Sequence, residues 1–211
     1  ACYCTPKGQV LGLLLVQHGD SGYLLAGAES LLPGILQRLK MFVFRSRVTF
    51  EMSTDQMVFG QPGPAHHIGE DGASDGIYSG DWKATELSAG IAWLGEGSSE
   101  KFIPQMLGFD RIGAVSFSKG CYPGQEIVAR AKYLGQVKRK PLLLLLEDAP
   151  ALSAGDKIRL MRDSEWSNAV VVDCAKNREG QTIVFTIARS EPGEPATKMA
   201  VGEDVYGCAT I

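Results

Sequence analysis

The hydrophobic pattern of the chain changes near residue 140. Beyond this point, short apolar or alternating segments recur at even spacing and are separated by turns that contain glycine or proline. Such segments predict β-strands, here over residues 142–146, 157–161, 169–174, 182–188 and 205–208. Because several short, evenly spaced strands are typical of a small closed sheet, we predict an antiparallel β-barrel for the C-terminal region.

The first part of the chain mixes helical and strand patterns. An apolar run at 10–16 predicts a buried strand, and a turn at 17–22 followed by apolar residues 23–26 predicts a hairpin. Apolar spacing at 30–41 predicts a helix that begins near Pro33, and alternation at 45–52 predicts a half-buried strand. This order of elements predicts an α+β fold with an antiparallel sheet and helices.

Further elements are predicted between residues 60 and 117. Residues 60–81 are rich in glycine, proline and aspartate, which predicts a long surface connection with His66 and His67 in a loop. Ser99 is a candidate N-cap for a helix over 100–107, and 114–117 has the pattern of a short strand. We place the division between an N-terminal region, 1–137, and a C-terminal barrel domain, 138–211.

Composition indicates a globular protein. The 211 residues are 45% hydrophobic and 21% charged, enough to bury a core in one or two domains. No apolar run reaches the ~18 residues of a membrane span, and no export signal opens the chain. Five scattered cysteines favour a reducing, cytoplasmic setting over a disulfide framework. Cys2-x-Cys4 has no second pair or histidine at zinc spacing, so we expect no metal site.

The stretch Lys119–Glu126, with the sequence KGCYPGQE, concentrates chemistry that packing does not need. Pro123 suits the first residue of a helix over 125–134 that ends at Gly135. The apolar face of that helix is predicted to hold Ile127, Ala131 and Leu134. Cys121 would precede the helix N-terminus, where free N–H groups and the helix dipole favour a thiolate.

The same cysteine also has a plain structural interpretation, since a single cysteine is often a small buried hydrophobe. Lys119 favours the functional interpretation, because its positive charge would further stabilise a thiolate. Gly120 and Gly124 on either side of Cys121 predict positive φ or a close backbone approach to a ligand.

This stretch resembles the signature of the YgfZ family of folate-binding proteins, relatives of the aminomethyltransferase (T-protein) of the glycine cleavage system. The match continues to Arg130, to the upstream sequence Phe-Ile-Pro-Gln-Met at 102–106, and to Lys138 and Arg139 downstream. The resemblance implies a GcvT/YgfZ-like α+β folate-binding region, here lacking its N-terminal part, followed by a small β-barrel.

The family resemblance also implies a function. Proteins of this family bind tetrahydrofolate-type ligands and support assembly or repair of iron–sulfur enzymes, including a tRNA-thiolating radical enzyme. By this resemblance, Cys121 and Lys119 are the candidate catalytic residues. The candidate folate-binding residues are Gly120, Tyr122, Gly124, Gln125, Glu126 and Arg130. We expect a monomer whose partners are folate and iron–sulfur enzymes, without a membrane.

An alternative is a Cys-dependent or folate-dependent one-carbon (aminomethyl) transferase. A cysteine nucleophile needs a general base, and the three histidines, His18, His66 and His67, all lie in the first third of the chain. We therefore do not expect a conventional enzyme.

Residues 127–140 carry basic side chains and no acidic one, in a chain whose formal net charge is −3. The basic residues are Arg130, Lys132, Lys138, Arg139 and Lys140. They form either a solvated helix face and linker or an anion site suited to folate carboxylates, a polyglutamate tail or nucleic-acid phosphate. Because aromatic residues do not alternate with these cations, we do not expect direct nucleic-acid binding.

Overall fold

The structure is a computed structural model that describes residues 1–20, 22–53, 56–60, 66–70, 82–190 and 195–211. Within these ranges there are three α-helices: α1 (Leu32–Lys40), α2 (Trp82–Ser88) and α3 (Gln125–Tyr133). The strands of the N-terminal region are β1 (Cys2–Cys4), β2 (Val10–Leu13), β3 (Leu15–Gly19), β4 (Gly22–Ala26), β5 (Gln56–Gly60) and β6 (His66–Glu70). Those of the C-terminal region are β7 (Arg139–Leu146), β8 (Lys157–Arg162), β9 (Glu165–Lys176), β10 (Thr182–Arg189), β11 (Lys198–Val201), β12 (Asp204–Gly207) and β13 (Ala209–Thr210).

The C-terminal strands form one antiparallel sheet in the order β12-β11-β8-β9-β10-β7-β13. Its two edge strands are separated in sequence only by Cys208, whose backbone N–H donates to the carbonyl of Thr197 at 3.0 Å. This short connection brings the two edges together, so the sheet is nearly barrel-shaped. All five predicted strands are confirmed. The short strands β11 and β13 were not predicted.

Strand β10 is buried on both of its faces, and the two faces serve two cores. Val184 and Ala188 pack inside the curved sheet with Leu144, Leu160 and their neighbours. Ile183, Phe185 and Ile187 point the other way, because successive strand residues alternate between faces. There they meet apolar side chains of the N-terminal region, among them Val10, Leu87, Phe102 and Phe109. The N-terminal region is therefore packed on the outside of the sheet.

A close backbone approach and an ion pair reinforce that packing. A Cβ at Gly97 would overlap the carbonyl oxygen of Ala154, so only glycine permits this approach to the turn that precedes β8. In α2, the Lys83 amine lies 2.6 Å from the Asp173 carboxylate on β9. Burial raises the pKa of Asp173, and the hydrogen bond and charge of Lys83 oppose that rise. The division at residues 137 and 138 stays a prediction.

The N-terminal region confirms the predicted hairpin and first helix but divides the first strand. Strands β3 and β4 pair from Leu15 with Ala26 to Gly19 with Gly22. The predicted strand at 10–16 is two strands, because β2 pairs with β1 whereas β3 turns to pair with β4. His18 consequently lies in a strand, where its ring contacts Tyr23 edge-on at 5.0 Å, and not in the predicted turn.

Four other local predictions are wrong. Residues 45–52 and 114–117 form no strand, since neither segment pairs with a neighbouring strand among the described residues. The helix over 100–107 is a single 3₁₀ turn at Pro104–Met106, because Ser99 donates its hydroxyl to the carbonyl of Leu11 at 2.7 Å and does not cap a helix. His66 and His67 lie in β6, paired with β5, and not in a loop. Residues 71–81 of the predicted connection lie outside the described residues.

The helices are short. The longest of them, α1 and α3, have nine residues each, whereas a bilayer span takes about 20. No helix in the described part of the chain could therefore cross a membrane.

Candidate functional site

The sequence KGCYPGQE, called the motif loop below, ends in the first turn of α3. The predicted helix over 125–134 is confirmed with a start at Gln125, and Gly124 is its N-cap with φ at +81°. Pro123 therefore precedes the cap and is not the first helical residue. The turn is closed by the Gln125 N–H, which donates to the carbonyl of Tyr122 at 3.1 Å. Cys121 lies three residues before the cap, ahead of the helix as predicted.

Gly124 is fixed against a distant part of the chain. A Cβ on this residue would lie 2.3 Å from the carbonyl oxygen of Thr5 and 2.6 Å from the backbone nitrogen of Gly8. Thr5 and Gly8 close a tight turn, in which the Gly8 N–H donates to the Thr5 carbonyl at 2.9 Å. The close approach predicted for Gly124 thus exists, and its partner is this turn. Gly120, in contrast, has open space where a Cβ would be.

Helix α3 presents a different face to the core from the one predicted. Val128 is fully buried, whereas Ile127 is 41% and Leu134 is 84% exposed. The orientation follows from Gln105 in the 3₁₀ turn, whose buried side-chain amide donates to the carbonyl of Val128 at 2.6 Å. Sequence reasoning noticed the segment around Gln105 and gave this residue no role. The signal in the sequence for this contact was the polar side chain of Gln105 within an apolar run.

Cys121 is exposed, so its interpretation as a buried packing residue is wrong. Its thiol makes no hydrogen bond in the part of the chain that the structure describes. Lys119 extends over the ring of Tyr122, with the amine 4.9 Å from the ring centroid, a cation–π distance. The charge of Lys119 lowers the pKa of Cys4. The predicted effect of Lys119 on Cys121 stays a prediction.

Two thiols of strand β1, the half-buried Cys2 and the buried Cys4, interact electrostatically with Tyr122. Burial raises the pKa of Cys2 to about 12, with a smaller contribution from Cys4. Burial raises the pKa of Cys4 to about 11, and Lys119 opposes this rise. The pKa of Tyr122 is raised by burial and then by Cys4 and Cys2, so its side chain reaches toward β1. Its hydroxyl is buried without a hydrogen bond to the described residues.

The remaining predicted site residues differ in exposure. Gln125 is half-buried, and Glu126 and Arg130 are exposed. Glu126 lies in the first turn of α3, where a negative charge interacts favourably with the helix dipole. Arg130 forms no ion pair with a described residue. Lys132, by comparison, lies 3.6 Å from the Asp110 carboxylate and 5.2 Å from the ring centroid of Phe117.

Two cavities lie elsewhere on the molecule, and no motif-loop residue lines either. One, the α1 cavity, has a volume of about 300 Å³ between β4, helix α1 and the extended segment 49–53, and is lined mostly by apolar residues together with Thr49, Glu51 and Ser53. The other has about 330 Å³ beside Arg111, Pro141 and Phe185. Among the described residues, no group of three or more His, Cys, Asp or Glu side chains could hold a metal ion.

Known proteins resemble this chain over much of its length. No family model matches it. An uncharacterized protein of Haemophilus influenzae is 28% identical over 198 residues, which cover 84% of this chain and 71% of the relative. The tRNA-modifying protein YgfZ of Escherichia fergusonii is 33% identical over 127 residues, and that of Escherichia coli is 33% identical over 126. The chain is similar to these YgfZ proteins over the matched residues.

The YgfZ relationship confirms the resemblance inferred from the motif loop. The matched residues cover 60% of this chain and 39% of the Escherichia YgfZ proteins, so the chain spans well under half of their length. Those relatives are named tRNA-modifying proteins. What the YgfZ-like chain itself binds and does is a matter for proposal.

Proposed function

We propose that this YgfZ-like chain is part of a tetrahydrofolate-binding accessory protein that supports assembly or repair of iron–sulfur enzymes, including enzymes of tRNA modification. The observation that carries the proposal is the presentation of Cys121. Its thiol is exposed on a loop whose C-terminal end is fixed by Gly124 against the Thr5–Gly8 turn. A fixed loop with an exposed thiol suits contact with a partner enzyme or its cluster better than internal packing.

The described residues fit a folate in two places. The apolar residues of the α1 cavity would pack against the flat pterin ring. Glu51, which also lines the cavity, would accept hydrogen bonds from the N–H donors of that ring. Arg130 offers a guanidinium to the glutamate carboxylates. The segment 8–12, a turn residue followed by β2, connects the two places, since a Cβ at Gly12 would meet Ile35 of α1 and one at Gly8 would meet Ile127 of α3. Gln125 and Tyr122 supply polar groups at the α3 end, as the family resemblance implies.

The transferase alternative has less support. A cysteine nucleophile needs a base within hydrogen-bond reach, and no described side chain is hydrogen-bonded to Cys121. His18, the one histidine whose side chain is described, contacts the ring of Tyr23 edge-on in the β3–β4 hairpin. Nothing in the described part of the chain favours this alternative over the accessory role.

Calorimetric titration with tetrahydrofolate tests the proposal. We expect saturable binding that weakens about tenfold in Glu51→Gln and in Arg130→Gln, since each variant removes one charge-assisted hydrogen bond. Lys176→Gln, at an exposed position of β9 away from both places, is the matched control and should bind as the wild type does. The absence of a heat of binding at near-millimolar tetrahydrofolate would contradict the proposal.

A further inference from the structure

A loop joins helix α1 to the extended segment 49–53 and carries aromatic and basic side chains together. Its residues, 40–48, have the sequence KMFVFRSRV and are called the 40–48 loop below. The loop begins at Lys40, the last residue of α1. Leu39 before it and Thr49 after it both line the α1 cavity, so the loop leaves the cavity wall and returns to it. Both ends of the loop are therefore fixed at one place in the N-terminal region.

The aromatic rings of the 40–48 loop face solvent. Phe42 is 57% exposed and Phe44 is 84% exposed, although burial of either ring would stabilise the fold. Met41, beside them in the sequence, is exposed as well. Exposed patches of large apolar side chains commonly mark a surface that binds another molecule.

Three cations accompany these rings. Lys40, Arg45 and Arg47 are exposed, and the 40–48 loop contains no acidic residue. None of the three forms an ion pair with a residue that the structure describes. Arg38, two residues before the loop, differs because it pairs with Glu100 at 3.1 Å. The loop is therefore a positively charged surface on a chain whose formal net charge is −3.

The backbone of the 40–48 loop is folded into turns and is not a continuation of the helix. The Phe42 N–H donates to the carbonyl of Leu39 at 3.0 Å in a turn at the end of α1. Near the other end, the Val48 N–H donates to the carbonyl of Ser46 at 3.0 Å. Beyond the end of α1 the loop belongs to no helix or strand, so its rings and cations are not sorted onto the opposite faces of a helix.

This arrangement favours one class of ligand over two others. An anionic membrane is typically bound by an amphipathic helix, with its basic and apolar side chains on different faces. A protein interface is depleted of charged residues at its apolar centre, whereas here Arg45 directly follows Phe44. Single-stranded nucleic acid suits both features of the loop, because its bases stack on aromatic rings while its phosphates pair with neighbouring cations.

We propose that the 40–48 loop binds single-stranded RNA. Phe42 and Phe44 stack on bases, and Lys40, Arg45 and Arg47 pair with the adjacent phosphates. Because stacking and phosphate contacts do not read the edges of the bases, the binding does not depend on sequence. The choice of RNA over DNA rests on the proposed function, whose partner enzymes include those of tRNA modification.

This surface differs from the one on which the sequence predicted no contact with nucleic acid. That prediction came from the basic residues of 127–140, which do not alternate with aromatic residues. The 40–48 loop has both kinds of side chain, and their exposure becomes visible only in the fold. None of its five aromatic and basic side chains lines the α1 cavity, so RNA and folate would occupy separate places.

Fluorescence anisotropy of a labelled oligouridylate, titrated with the whole chain, tests the inference. We expect saturable binding at low ionic strength. Three neutralised phosphates predict a slope of about −2 for the logarithm of the association constant against the logarithm of the salt concentration. An abasic oligonucleotide of the same length has the phosphates without the bases, and it should bind at least about tenfold more weakly because stacking is lost.

Substitutions separate stacking from charge. Phe44→Ala should weaken oligouridylate binding about tenfold and leave the salt slope unchanged, since it removes a ring and no charge. Arg45→Gln with Arg47→Gln should instead reduce the steepness of the slope by about 1.4, which is about 0.7 for each cation. Lys157→Gln with Lys198→Gln, at exposed positions of β8 and β11, is the matched control and should keep both affinity and slope.

The fold of each variant is checked by urea unfolding. All the substituted side chains are exposed, so we expect stabilities close to that of the wild type. Phe44→Leu, which keeps an apolar side chain and loses the flat ring, repeats the stacking test if Phe44→Ala does not fold. Unchanged oligouridylate binding in a folded variant without the ring at position 44 would overturn the inference.

The remaining outcomes separate this inference from the folate function. Equal binding of the oligouridylate and the abasic oligonucleotide would overturn it, and so would binding of oligodeoxythymidylate more than about tenfold tighter than the RNA. Binding to phosphatidylserine vesicles that needs Phe44, without binding of the oligouridylate, would make the loop a membrane contact. Tetrahydrofolate binding without oligouridylate binding overturns only the inference, and oligouridylate binding without tetrahydrofolate binding overturns only the folate function.

Discussion

The molecule places cysteines in contrasting environments around the motif loop and strand β1. On one side, Cys121 lies on the motif loop and its thiol is exposed. On the other side, Cys2 and Cys4 lie on β1, where burial raises the pKa of one to about 12 and of the other to about 11. The difference shows that burial, more than the nearby charge of Lys119, decides which thiol is available for chemistry.

Gly124 is the place where these two environments are held apart. Its backbone contacts the turn of Thr5 and Gly8, which directly follows the buried Cys4. Changes at this contact should therefore affect the buried thiols as well as the motif loop. The predictions below test this separation, from the largest expected effect to the smallest.

Gly124→Ala should break the separation. Alanine resists a φ of +81°, and its Cβ would lie 2.3 Å from the Thr5 carbonyl oxygen. We expect the free energy of unfolding in urea to fall by about 3 kcal/mol or more, and Cys4 to become reactive toward a thiol reagent.

Gly120→Ala is the matched control for this change in the same loop. Its φ is ordinary and a Cβ there meets no atom within 4 Å, so we expect a stability close to that of the wild type. Equal stability of the two alanine variants would contradict the role given to the contact at Gly124.

Thiol labelling should show the contrast directly. At pH 8 a thiol with a pKa near 11 is ionised in about one molecule per thousand, and the thiolate is the reactive form. With iodoacetamide under native conditions, Cys121 should be labelled first, with Cys2 and Cys4 at least about a hundredfold slower. Peptide mass spectrometry of the time course measures each rate, and comparable rates for all three would refute the contrast.

The fall in stability at high pH should sharpen the contrast between Cys121 and the thiols of β1. A thiol in the unfolded chain ionises near the ordinary pKa of 9.0, whereas Cys4 and Cys2 stay neutral in the folded chain to about 11 and 12. Their contribution to stability is complete below pH 9 and is lost as the pH rises through 11 and 12. Each thiol should lower the free energy of unfolding by about 1.4 kcal/mol per pH unit in this window.

Urea unfolding between pH 8.5 and 10.5 measures this slope. Cys2→Ala should reduce it by about 1.4 kcal/mol per pH unit, because one of the thiols with a raised pKa is gone. Cys121→Ser should leave it unchanged, since Cys121 is exposed. A slope that disappears in Cys121→Ser and persists in Cys2→Ala would assign the buried and exposed thiols the wrong way round.

The parts of the fold that the sequence predicted are those set by local periodicity. In β10, the mostly apolar segment 182–188 indicated a strand, and its neighbours β7, β8 and β9 followed from their own patterns. Helix α1 was predicted within two residues at each end. The strand at 45–52 failed because a strand needs a paired neighbour, which a local pattern does not reveal.

The candidate site was predictable in its position and not in its contacts. The unusual composition of the motif loop indicated where the chemistry lies, and Gly124 was recognised as a site of close approach. Its partner is Thr5, more than a hundred residues away in sequence. The orientation of α3 depends on Gln105 in the same way.

The single residue between β12 and β13 has a consequence for how the sheet assembles. Because these strands occupy opposite edges, Cys208 can take its place only when the five strands between them are already aligned. Closure therefore depends on contacts that are distant in sequence, the kind that form slowly. Until the sheet closes, it has two open edges to which another chain can add a strand. Pairing of β13 with β7 covers one of these edges and so opposes that association.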